Sequence, residues 1–242
     1  MPPLIVAFAA LAAVDIAGVA AGLPPLEWVA KPLLAPVLAV QLWRLTGTRH
    51  APVLAGLGFA AAGDVALMLP GRVAFAVGIV FFLGTQLCWT AAFLRAGALR
   101  YLRPRRRLCA VHLAVWVAAV AALAPALGPV LGTAVAVYAS ALVTMALTAR
   151  VLGRRPAWGG LVFLASDLLV GLGAAGADFP GRAVLVMVTY TVALALITTA
   201  FTAAEARQAD GARRQPPQRV GVCGPPSATA RWAGAGCGAR AG

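Results

Sequence analysis

Two aspartates sit inside long apolar runs, Asp64 in GLGFAAAGDVALML (Gly56–Leu69) and Asp167 in GGLVFLASDLLVGL (Gly159–Leu172). An ionised carboxylate in hydrocarbon costs several kcal/mol unless it is paired or wetted, so acids at membrane depth mark functional sites. The chain has seven acids in all, and two of them are spent this way. A carboxyl pair out of water suits acid–base chemistry, one member neutral and one ionised. It also suits a proton relay. Lys31, Tyr138 and Tyr190 are polar residues set in apolar surroundings that such a pair could use.

The frame that must hold these groups is a membrane. The 242 residues are 62% hydrophobic and 11% charged, with mean hydropathy +0.88, whereas a soluble domain is nearer half apolar and a quarter charged. A net charge of +13 raises the question of nucleic acid, but the arginines fall in loops between apolar runs. That placement fits membrane topology and contact with anionic lipids, and nucleic acid is not expected as a partner. Cys88, Cys109, Cys223 and Cys237 show no paired spacing, so neither a disulfide framework nor a metal site is expected. His50 and His112 are isolated and read as interfacial residues near loops. No cofactor is implied.

At about 20 residues a span, the chain divides into an all-α domain of eight transmembrane helices over residues 1–204 and a basic tail over 205–242. The spans are expected near Leu4–Gly22, Trp28–Leu45, Pro52–Leu69, Val73–Leu94, Leu108–Leu127, Pro129–Arg150, Trp158–Ala174 and Ala183–Ala204. Asp15 within the first apolar run, and the lack of a basic start, argue against a cleaved signal peptide. A Lys-Pro pair opens the second span and Pro36 kinks it. Trp28, Trp43 and Trp158 fall at span ends, where an aromatic belt belongs. The tail is rich in Gly, Pro, Ala and Arg and reads as disordered.

The charges fix the orientation. Counting the loops after spans two, four and six with the tail, one side holds seventeen of the twenty Lys and Arg residues. Both termini are therefore expected in the cytoplasm. The two acid-bearing spans share a Gly, Phe, small-residue, Asp order, and Pro-Gly-Arg follows each, at Pro70–Arg72 and Pro180–Arg182. This suggests two four-span halves in parallel orientation. Asp64 and Asp167 then lie about 9–10 Å inside the outer boundary at ~1.5 Å per residue, and Lys31 about 5 Å inside it. Asp15, Lys31, Asp64, Asp167 and Tyr190 share one level, with Tyr138 nearer mid-membrane. Blander roles compete: Lys31 can snorkel from a helix start, Asp15 can pair with Lys31, the tyrosines can merely join helices, and Gly63 and Ser166 can serve close packing.

Five pieces in order, KPLLAP (31–36), GDVALML (63–69), VYASALVTMAL (137–147), SDLLVGL (166–172) and LVMVTYTVALALI (185–197), resemble the YhhN-like family of membrane lysoplasmalogenases. The resemblance implies hydrolysis of the vinyl ether bond of a lysophospholipid, giving a fatty aldehyde and glycerophosphocholine or glycerophosphoethanolamine. It implies Asp64 and Asp167 as the catalytic pair, with Lys31 for the lipid phosphate and Tyr138, Tyr190 and Gln86 lining the pocket. The family usually has His at the place of Gln86 and Gln at that of Leu194. A bacterial inner membrane is the expected location, with membrane lipids around the protein. The alternative is a lipid or small-molecule transporter, for which Pro32 and Pro36 would supply a broken span.

Overall fold

A computed structural model describes residues 3–214 of the chain. Among these residues the secondary structure is entirely helical: α1 (Pro3–Ala21), α2 (Pro24–Thr46), α3 (Ala51–Met68), α4 (Arg72–Arg95), the short α5 (Ala98–Leu102), α6 (Arg106–Ala149), a 3-10 turn at Arg150–Leu152, α7 (Arg154–Ala174) and α8 (Arg182–Arg214). Within α6, Gly128 takes φ 74° ahead of Pro129, which can offer no N–H to a continuing helix. The chain bends there into two arms, Arg106–Val130 and Gly132–Leu152, the tight turn expected between spans five and six.

Among the described residues, seven helical segments are long and apolar enough to cross a membrane: α1, α3, α4, the two arms of α6, α7 and α8. Eight were expected. The missing one is α2, which is 23 residues long but carries Glu27, Lys31 and Arg44. Its start also differs from expectation. The helix opens at Pro24–Pro25, where a proline costs nothing because first-turn N–H groups have no partner anyway. It continues as one helix through Pro32 and Pro36. Lys31 thus stands seven residues inside its helix, roughly 10 Å from its start, whereas the expected start at Trp28 put it three residues in.

Two further expectations change. The Ala- and Arg-rich stretch after Ala204 favours helix, so α8 extends through Arg214 and the first ten residues assigned to the disordered tail are helical. Glu205 on this extension accepts from Arg49 at 3.0 Å and lies 3.2 Å from His50. The rest of the tail, with Cys223 and Cys237, lies outside the described residues. His112 is not near a loop but buried within the first arm of α6, where its Nδ1 pairs with the Leu108 carbonyl at 2.9 Å.

Successive helices pack as neighbours, α1 on α2, α2 on α3, α3 on α4, α6 on α7 and α7 on α8. The bundle closes where α4 meets α6 and where α8 meets α1 and α2. The dry core lies between α2, α3, α4, α7 and α8, around Leu34, Leu38, Leu42, Leu57, Trp89, Phe93, Phe163 and Ile197. Small residues let the backbones approach. A Cβ on Gly63 would sit 2.8 Å from the Phe82 ring, and one on Gly160 would sit 2.7 Å from the Ala146 backbone. Thr85 donates to the Gly56 carbonyl at 3.1 Å, and Ser166 to the Val186 carbonyl at 3.1 Å, binding α4 to α3 and α7 to α8. Trp28, Trp43 and Trp158 are all exposed on the outside of the bundle.

Candidate active site

Toward the arginine-poor end, the helices part around a cavity of about 110 Å³. Asp64 enters it from α3 and Asp167 from α7, and Lys31 reaches it from α2. Tyr138, on the second arm of α6, and Tyr190, on α8, complete the polar part. The remaining wall is apolar. Val115, Ala119, Leu123 and Leu127 recur every fourth residue along the first arm of α6 and give that helix one continuous stripe against the cavity.

Each acid is held by a phenol. The Tyr190 hydroxyl donates to Asp64 Oδ2 at 2.6 Å, across 126 residues of sequence. The Tyr138 hydroxyl donates to Asp167 Oδ2 at 2.5 Å. Below the acids lies an aromatic floor. Phe163 meets Trp89, Tyr190 and Phe82 edge to face, with centroids 5.7, 5.8 and 6.4 Å away, and Phe82 also meets Tyr190 at 5.9 Å. Such contacts fix ring planes as well as burying area. The orientation of Tyr190, and through it of Asp64, follows from that floor.

The surroundings of the two acids differ. Asp64 is 2% exposed, and Lys31 lies close enough to act on it electrostatically without bonding to it. Asp167 is crowded by protein atoms yet only half-buried, because what it faces is the cavity itself. No cation among the described residues acts on Asp167 at similar range.

Five of the six residues expected at the site therefore line one cavity. Gln86 does not line it. The side chain is fully buried, close to the Tyr138 hydroxyl but outside hydrogen-bonding geometry, and neither amide atom has a partner among the described residues. Leu194, one turn beyond Tyr190, belongs to the dry core under the aromatic floor.

Asp15 is fully buried, and neither carboxyl oxygen has a hydrogen-bond partner among the described residues. The expected Asp15–Lys31 ion pair is not formed. Gly18 abuts Leu26 and the Glu27 backbone, so in the antiparallel α1–α2 pair Asp15 comes level with Val29 and Ala30, next to Lys31. Packing holds it there, near Lys31 but out of bonding range.

The residues missed from sequence are the apolar ones, above all Phe82, Leu67 and the stripe on α6. Nothing in the sequence could mark them, because helices that are apolar all round show no cavity-facing periodicity.

Fold and site together describe a polytopic helical membrane protein with a carboxyl pair in a largely apolar pocket. The YhhN family model matches residues 26–201, well over half of the chain, and takes in every polar residue of the cavity. The chain belongs to the YhhN family. Neither the curated proteins nor the solved structures include a match.

Proposed function

We propose that the chain is a lysoplasmalogenase-type hydrolase, cleaving the vinyl ether bond of alkenyl-glycerophosphocholine or -ethanolamine inside a bacterial inner membrane. The observation that carries this is the pair of carboxyl groups on separate helices, both opening on one apolar cavity and each bonded to a tyrosine hydroxyl. Membership of the YhhN family is consistent with it.

In this mechanism Asp167, facing the cavity with no cation nearby, is neutral and gives its proton to the outer alkene carbon. The cation that forms is shared between the inner carbon and the ether oxygen. Asp64, kept ionised by Lys31, stabilises that cation and takes a proton from the water that adds to the inner carbon. As the hemiacetal breaks its bond to the glycerol oxygen, that oxygen takes the proton held by Asp64 and the hemiacetal hydroxyl gives its proton to Asp167, leaving a fatty aldehyde and the glycerophospho-base. Net, one water is consumed and both acids recover their starting states. Lys31 is the cation on the cavity wall available to the substrate phosphate. Tyr138 and Tyr190 hold the acids in line.

The eighth span belongs to the same reading. α2 packs on α1, α3 and α8, and its Lys31 serves the cavity. Eight crossings put the N-terminus, the arginine-rich loops and the end of α8 together in the cytoplasm. Each four-span half then brings one aspartate, from α3 and from α7.

The test is turnover of a lysolipid panel by the purified protein in D₂O, with products read by mass spectrometry. Aldehyde carrying one deuterium on the carbon next to its carbonyl, together with the glycerophospho-base, is the expected result. Lipid that crosses sealed vesicles chemically unchanged would instead make the protein a transporter.

A further inference from the structure

At the opposite, arginine-rich end the surface has a second concavity. The second arm of α6 runs into the 3-10 turn at Arg150–Leu152, Gly153 reverses the chain, and α7 begins at Arg154. Arg150, Arg154, Ala157, Trp158 and Leu161 line an open hollow of about 480 Å³. The last four stand at i, i+3, i+4 and i+7, one face of α7. The hollow is separate from the acid pair. Leu161 is six residues before Asp167, and Arg154 is thirteen before it, about 20 Å along the helix.

Its chemistry is that of an anion site. Neither arginine takes part in the three ion pairs among the described residues, and Glu205 is committed to Arg49 and His50. The Arg150 Nε–H is buried and has no acceptor among the described residues, a cost normally met by a partner. The first turn of α7 adds the positive end of a helix dipole.

The shape selects the kind of anion. From the two guanidinium groups the wall descends past Ala157 to Leu161, about 10 Å along a helix apolar enough to span a membrane. Trp158, 63% exposed, flanks it where an interfacial ring belongs. A free phosphate would use the top of this hollow and leave the lower wall empty. We propose that the hollow binds an anionic phospholipid, with the phosphate between Arg150 and Arg154 and the start of an acyl chain against Ala157 and Leu161.

The experiment is native mass spectrometry of the delipidated full chain with phosphatidylglycerol, phosphatidylcholine or inorganic phosphate added separately. Phosphatidylglycerol should bind in preference to phosphatidylcholine, and Arg150→Gln/Arg154→Gln should weaken that binding about 30-fold, at about fivefold for each arginine near a membrane surface. The same pair of changes at Arg100 and Arg103 should leave it intact, and thermal unfolding of both variants shows whether they are folded. Leu161→Asn keeps the arginines and should weaken the lipid alone. Unchanged lipid binding in the Arg150/Arg154 variant overturns the site. Inorganic phosphate that binds as well as the lipid, or displaces it, makes this a simple anion site and overturns the lipid assignment.

Discussion

The Asp64–Tyr190 and Asp167–Tyr138 pairs are the same chemical unit in two settings. Asp64 lies against the core, sealed at 2% exposure, with its phenol braced by Phe82 and Phe163 and with Lys31 nearby. Asp167 looks into the cavity, and its phenol comes from the arm of α6 beyond the Gly128 bend, with Gln86 behind it. Two like groups acquire different roles only when their environments differ. In the proposed mechanism the acid beside Lys31 remains charged, and the one with no cation near it among the described residues hands over a proton.

The largest effect comes from removing either acid. Asp64→Asn and Asp167→Asn should each lower aldehyde release about 10²–10⁴-fold, the range for loss of a positioned acid or base, while each variant still runs as a folded species in detergent. Near-normal turnover in both ends the two-acid mechanism. Lys31→Met comes next. It removes the charge that distinguishes Asp64 and should cost about a hundredfold in turnover, as loss of a preorganised charge-stabilising group does. If only substrate affinity falls, Lys31 meets the lipid phosphate and the contrast between the acids has another origin.

The phenols separate the settings more finely. Tyr190→Phe leaves a sealed carboxyl without its donor and should destabilise the fold by about 1–3 kcal/mol, read as a lower unfolding temperature. Tyr138→Phe faces the cavity and should mainly lower turnover, with little change in that temperature. Equal effects on both measurements would erase the distinction. The smallest effect on turnover concerns Asp15, buried with no hydrogen-bond partner among the described residues. Asp15→Leu should leave stability unchanged or raise it by about 1–4 kcal/mol, as for other buried charges replaced by apolar groups. If it also slows turnover, Asp15 acts through its neighbour Lys31, and Asp15→Glu should restore part of the rate.

Asp64, Asp167 and Lys31 were legible because charge inside an apolar run is conspicuous whatever the fold. Span ends were legible because Pro and Gly interrupt helices locally. Lys31 lies further from the start of its helix than expected because the prolines at 24 and 25 open α2 ahead of the expected start at Trp28. The helical course of residues 205–214 was missed because a stretch short of apolar residues was read by composition, although its own propensity favours helix and Glu205 ties it to Arg49 and His50.

From the chain alone came the membrane class, the acids worth examining and the side on which positive charge accumulates, all set by residue type and spacing along one dimension. Which phenol holds which acid, that Asp15 is sealed with no partner among the described residues and that Gln86 stays off the cavity were decided only by packing. Apolar helices carry no stripe that says which face turns inward, so the meeting of Asp64 with Tyr190 depends on how α3, α4, α7 and α8 interlock around the Phe82–Phe163 floor.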